Sequence, residues 1–168
     1  MRSIPFLLAL TMIAPACSED DHGDDSDVVA LDDASDEVAM TILDRADRGD
    51  AEEDADVAAR LVAPTDGTTI AVGAPVHLDW EPAQSALRHG RTTGDFVVLR
   101  VTCDGVSDPL VVVGIESTDW TCDQEHWDAI VEGGGGPCGV EVVSAYVSDG
   151  VIEEGPFIPG DVPSFTVE

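Results

Sequence analysis

The sequence predicts an all-β protein, a single antiparallel β-sandwich over residues 60–168 preceded by a signal peptide and an acidic segment. Three observations carry that expectation. Apolar and polar residues alternate over short runs, turn residues recur between the runs at regular spacing, and no long helical pattern appears past residue 60.

Residues 1–16 have the layout of a secretory signal peptide: a basic start at Met1-Arg2, the apolar run IPFLLALTMIAP, and small residues Ala14 and Ala16 before Cys17. The run is too short to span a bilayer as a mature helix. Ala14-Pro15-Ala16 also forms an A-x-A cleavage site, which would release a free protein beginning at Cys17.

Residues 17–59 are expected to form a disordered acidic linker. Seventeen of the chain's 35 acidic residues fall between Glu19 and Asp56, against Arg45 and Arg48 as the only basic ones and with no Phe, Trp or Tyr. Such a stretch has little apolar surface to offset the entropy of ordering, and like charges extend it. Within it, DEVAMTILDRADR at residues 36–48 carries an apolar cluster, either a transient amphipathic helix or a less polar part of the tether, and it is read here as tether. Arg48-Gly49-Asp50 is an RGD tripeptide of low specificity. The aspartate-rich runs lack the alternating ligands, sixth-position Gly and distal Glu of an EF-hand loop.

Past Arg60, Pro64-Thr65-Asp66-Gly67 marks a turn between two extended pieces. APVHLDW sets Val76, Leu78 and Trp80 on one face, with His77 and Asp79 on the other. DFVVLRVTC places Val97, Leu99, Val101 and Cys103 opposite Arg100; Asp104-Gly105 then turns the chain into PLVVVGI. STDWTC reads as a brief strand, QEHWDAIVEG as one or two helical turns in a loop, CGVEVVSAYV as a further alternating strand, and GPFIPGDVPSFTVE as a proline-broken edge strand.

Two resemblances follow from these residues. Ala16-Cys17 after the short apolar run resembles the lipobox of bacterial lipoproteins, which implies that Cys17 is the lipidation site, bearing acyl chains of the palmitate kind, and that Ser18 directs the protein to the outer membrane. PTDGTTIAVGAPVHLDW looks like the first two strands of the fibronectin type III and immunoglobulin-like class, with a core tryptophan at Trp80. CGVEVVSAYVSDG is similar to its sixth strand, where Val140 and Val142 match and Cys138 takes the place of the family's tyrosine. This second resemblance covers residues 61–168 and implies that Cys103, Cys122 and Cys138 gather at one pole. Cys138 is then expected in a disulfide with Cys122 or with Cys103, and the sequence leaves that choice open. Cys103, Cys122, His126 and Cys138 also supply the ligand types of a zinc site, but without the paired spacing of such sites, so no metal and no cofactor is expected.

Charge excludes whole classes of partner. The chain has 7 basic residues, all arginine, and a net charge of -28, which repels nucleic acid and anionic headgroups. The acidity suits a salty medium, and genome composition bias gives the same pattern. No nucleophile elbow, P-loop, HExxH or dinucleotide fingerprint is present. His22, His77, His89 and His126 are scattered, and Glu153-Glu154 reads as a solvated pair on a loop, so an enzyme is not expected. The expected function is an envelope lipoprotein presenting a binding or structural module, held to the membrane by its lipid anchor, with an envelope protein or a glycan as partner. Core packing is the expected role of Trp120 and Trp127, which are also the candidate ligand-contact aromatics. The alternatives are a periplasmic or secreted acidic binding protein with two disulfides, and an accessory subunit or spacer of an envelope assembly.

Overall fold

The computed structural model describes residues 27–83 and 95–168; the expected signal peptide, Cys17, His22, His89 and the aspartates between 20 and 26 lie outside the described residues. In chain order the elements are β1 (Asp27–Ala30), α1 (Asp36–Asp47), β2 (Glu52–Glu53), β3 (Arg60–Ala63), β4 (Thr68–Ile70), β5 (His77–Glu81), β6 (Asp95–Cys103), β7 (Leu110–Gly114), β8 (Asp119–Thr121), α2 (Gln124–Glu132), β9 (Gly136–Ser148), β10 (Val151–Ile158) and β11 (Ser164–Val167). Strand dominates, and it forms two sheets in a sandwich-like arrangement. The larger has eight strands, with the path β1-β7-β6-β9-β10-β2 and with β11 bridging β9 and β4; the smaller runs β3-β5-β8.

The centre of the large sheet is antiparallel, as the alternating runs imply. β6 lies against β9 from Asp95↔Tyr146 to Cys103↔Cys138, and against β7 from Val97↔Gly114 to Val101↔Leu110. The edges differ from expectation: β1 joins β7, β2 joins β10 and β4 joins β11 in parallel. Parallel partners require a crossover between them, and here the N-terminal segment supplies two of the three added strands.

Alternation along β6 feeds two separate cores. Val97, Leu99, Val101 and Cys103 point to one side, where they meet Leu78 and Trp80 of β5, Trp127 and Ile130 of α2, and Val112, Val140 and Val142 of their neighbours. Phe96 and Val98 point to the other, joining Val111, Val113, Val143 and Ala145 beneath Ala39, Ile42 and Leu43 of α1. The small sheet with α2 therefore covers one face and α1 the other.

The acidic linker is corrected accordingly: from Asp27 onward it is folded, and the domain boundary at residue 60 falls inside the folded unit. Mean composition concealed a local period. Val38, Ala39, Ile42, Leu43 and Ala46 recur at helical spacing and form one stripe, while the acids take the outer side. The Ser35 side chain accepts from the Val38 N–H at 3.4 Å, and Asp36 and Glu37 sit at the positive end of the helix dipole. The RGD tripeptide is the helix stop. Gly49 takes a left-handed φ of 81°, the Gly49 N–H donates to the Ala46 carbonyl and the Asp50 N–H to the Arg45 carbonyl, the paired bonds of a Schellman cap. Arg48 itself pairs with Asp44 at 2.9 Å.

Two polar contacts tie the layers together. Arg100 projects from β6 toward α1 and grips both Asp47 oxygens, at 2.8 and 2.7 Å, while its Nε donates to Glu141 on the neighbouring strand at 2.8 Å. On β9 the buried Ser144 hydroxyl accepts from the Ala59 N–H at 3.0 Å, fixing the chain where it passes from the α1 layer to β3. Glu153 and Glu154, expected in a loop, are part of β10.

A chain begun at Arg60 loses the cover over Phe96, Val98, Val111, Val113 and Val143, so it is expected to self-associate and to lose a cooperative urea transition, read by size exclusion and fluorescence. In the intact chain, Ile42→Ala is expected to lower unfolding free energy by about 2–5 kcal/mol; a variant as stable as the parent would show that α1 is not a structural cover. Acid gives a second test. Hydrogen bonds from Arg100 hold the Asp47 carboxyl below its ordinary range. Its contribution is present above the unfolded carboxylate pKa, near 4, and is lost as pH falls through the lower folded value. Asp47→Asn should therefore shallow the loss of stability below about pH 4, and cost under about 1 kcal/mol at neutral pH because the Asp47 side chain is 53% exposed.

Candidate functional site

The pole where β6 ends and β9 begins holds the chemistry that the sequence singled out. Cys103 and Cys138 face each other in register and form a disulfide, 35 residues apart in sequence. Of the two mates left open for Cys138, the structure selects Cys103. Cys122 is free and 2% exposed; burial, with the Asp123 charge second, pushes its thiol up to about 12. That arrangement removes Cys103 and Cys138 from any zinc set, and among the described residues no cluster of three His, Cys, Asp or Glu side chains is placed to hold a metal ion.

The segment after Cys122 is helical as expected, a nine-residue helix. Asp123 caps α2: its carboxylate accepts from the His126 N–H at 3.1 Å and meets His126 Nδ1 at 2.7 Å. These bonds, led by the one from the His126 backbone, hold the Asp123 carboxyl below its ordinary range. Trp127 and Ile130 then fall on the buried side of the helix.

The two aromatic candidates separate. Trp127 is 1% exposed and its indole N–H donates to the Val72 carbonyl at 2.7 Å, so it is a satisfied core residue, the packing role rather than the ligand-contact one. Trp120, on β8, is half-buried against the same core and meets the His126 ring edge-on, with centroids 6.4 Å apart and planes at 73°. His77, on the exposed side of β5, pairs through Nδ1 with the Thr121 hydroxyl at 2.9 Å. Trp80 is buried as expected, and its indole N–H has no hydrogen-bond partner among the described residues.

Beside this pole lies a groove that the sequence did not reveal. It has a volume of about 360 Å³ and runs between the β6–β7 turn and the last turns of α2. Val101, Leu110 and Ile130 form its apolar floor together with Cys103, and Asp108, Glu132, Ser107 and His126 stand on its rim. The Ser107 hydroxyl donates to the Asp108 carboxylate at 2.6 Å and orients it. A cleft with an apolar floor and convergent polar groups on its rim is the general form of a small-ligand site. Its walls come from segments some twenty residues apart, so only the fold brings them together.

Comparison of the chain with protein-family models, with curated proteins and with solved structures finds no match. Alkylation by iodoacetamide near pH 8, followed by peptide mapping, is expected to leave Cys122 unmodified in the folded chain and to modify it once the chain is unfolded, with Cys103 and Cys138 recovered as one linked peptide. Rapid labelling of Cys122 in the folded chain would contradict its burial.

Proposed function

We propose that this protein is an exported cell-envelope lipoprotein, anchored through Cys17, whose β domain works as a binding module rather than an enzyme. The disulfide between Cys103 and Cys138 is the observation that carries the reading, since such bonds persist in oxidising compartments outside the cytosol. Cys122 bears on the alternative of a secreted protein with two bridges. A second bridge would have to join Cys17 to a thiol enclosed in the core, which favours a lipidated Cys17.

A fibronectin type III-like assignment belongs to the same proposal. It is supported by Trp80 of β5 in the core shared by the two sheets, and by Val140 and Val142 of β9 facing the same core. The helical cover over the other face and the parallel edge pairs depart from that family's pattern. Because the folded unit already includes Asp27, ten residues after Cys17, the anchored domain stands at most about 35 Å from its lipid, a closer seat than a forty-residue tether gives. The envelope partner is a protein or a glycan, and Ser18 following the cysteine assigns the outer membrane.

The intact mass of the mature N-terminal peptide from a bacterial envelope tests this reading. Expected is an acyl-bearing increment on Cys17, with both the increment and membrane fractionation lost in Cys17→Ala. An unmodified Cys17 in a soluble fraction would replace the anchored reading with the secreted one.

A further inference from the structure

We infer that the groove between the β6–β7 turn and α2 binds a small organic cation with an apolar body, such as a hydrophobic primary amine. This rests on the reading of the domain as a binding module and names the ligand class of its groove. Three features of the groove set the sign of the charge. Its rim carries the carboxylates of Asp108 and Glu132, no Arg lines it, and the wall formed by Ala129, Ile130 and Glu132 is the last turn of α2, where the helix dipole is negative and no basic residue offsets it. An anion placed there meets two carboxylates and the negative helix end, with only Ser107 and His126 as rim groups of other character; a cation meets two acceptors that hydrogen-bond more strongly when charged.

The floor sets the rest of the ligand. Val101, Leu110 and Ile130 offer only carbon, so the part that enters must be apolar to gain from leaving water. Size is bounded too. The volume of about 360 Å³ stands at the low end of small-ligand clefts. At one end the turn backbone rests directly on the helix: a Cβ on Gly105 would sit 2.1 Å from the Gly133 carbonyl oxygen, and one on Gly133 would sit 2.7 Å from Val106 Cγ2. That contact closes the groove there, which favours a short ligand over a peptide that must pass through.

The groove is also pre-formed. The disulfide that contributes Cys103 to its floor joins β6 to β9, and Asp123 caps the helix that forms its far wall. A ligand therefore enters without ordering the chain first, and less of the contact energy is lost to ordering.

Calorimetry and methyl NMR on the full chain at low ionic strength test the assignment, with 2-phenylethylammonium, 2-phenylethanol and 3-phenylpropionate as cationic, neutral and anionic probes of one shape. Expected is binding of the ammonium with shifts at the Ile130, Leu110 and Val101 methyls, the alcohol weaker by about tenfold or more, and no binding of the carboxylate. In the double variant Asp108→Asn, Glu132→Gln, the ammonium should fall to the affinity of the alcohol, while the alcohol's own affinity and the urea midpoint stay at parent values. Equal binding of ammonium and alcohol to the parent would overturn the cation assignment and leave the groove a ligand site. No shift at those methyls with any probe would overturn the site itself, and neither result bears on the Cys17 anchor, which membrane fractionation reads separately.

Discussion

The central strands of the large sheet are apolar on both faces, and the rest of the structure follows from that constraint. Along β6, Phe96 and Val98 face one side while Val97, Leu99 and Val101 face the other, and all five are buried. β7 and β9 repeat the pattern, with Val111, Val113 and Val143 on one side and Val112, Val140 and Val142 on the other. A sheet of this kind is stable only with a layer on each face. Leaving one face open would expose several large side chains, each worth about 1.5–3 kcal/mol on burial. The chain answers with two unlike covers, a second sheet plus α2 on one side and a single helix on the other.

Such a design needs the covers held in register, and polar groups do this at two points, while a disulfide fixes two strands of the sheet itself. Arg100 is the exception on its face: it is 22% exposed and reaches past the apolar rows to the end of α1, so the helix is pinned by a bidentate pair at its C-terminus while its apolar stripe packs on the sheet. Ser144 catches the backbone at Ala59 as the chain crosses toward the small sheet, and the disulfide locks the far end of β6 to β9. That last point matters most for the groove. Its floor is the end of the core and its wall is a capped helix, so the shape of the groove is inherited from the packing of the whole domain. Substitutions in the core beneath it, at Leu99 or Val140, would be felt at the rim because well-packed interiors transmit strain.

Much of the strand plan is legible in the sequence because it depends on a two-residue period. The Val76-Leu78-Trp80 and Val97-Leu99-Val101 rows lie inward as their alternation implies, and the Asp104-Gly105 turn lies where the composition places it. What alternation does not carry is the second layer. In DFVVLRV the residues between the inward-facing ones are Phe96 and Val98, and their apolar character announces that the other face is covered as well. The cover itself is written at residues 36–48 in a helical period, a Ser35 cap and a Gly49 stop, but the surrounding aspartates outweigh those signals in overall composition. The sequence leaves two mates open for Cys138, since spacing does not state which strands are neighbours; the β6–β9 register does. The groove had no signal of its own. Asp108 and Glu132 are ordinary acids in an acidic chain until the fold puts them on the rim of the same apolar cleft.

Acidity on this scale acts at two ranges, and the distinction decides what the groove can select. The net charge of -28 sets up a field that draws any cation toward the protein, but at physiological ionic strength it is screened over about 8 Å, so it raises encounter rates without choosing among ligands. Choice requires groups in contact. Asp108 and Glu132 provide the sign, Val101, Leu110 and Ile130 require an apolar body, and the Gly105–Gly133 contact limits length. The same charge opposes any approach to an anionic membrane surface, which explains why attachment in the proposed anchored state falls to acyl chains at Cys17 rather than to the surface of the domain. In the proposed anchored state, membrane attachment and ligand capture fall to different parts of the chain, the first to the acyl chains on Cys17 and the second to a groove that carries the same negative sign as the membrane surface.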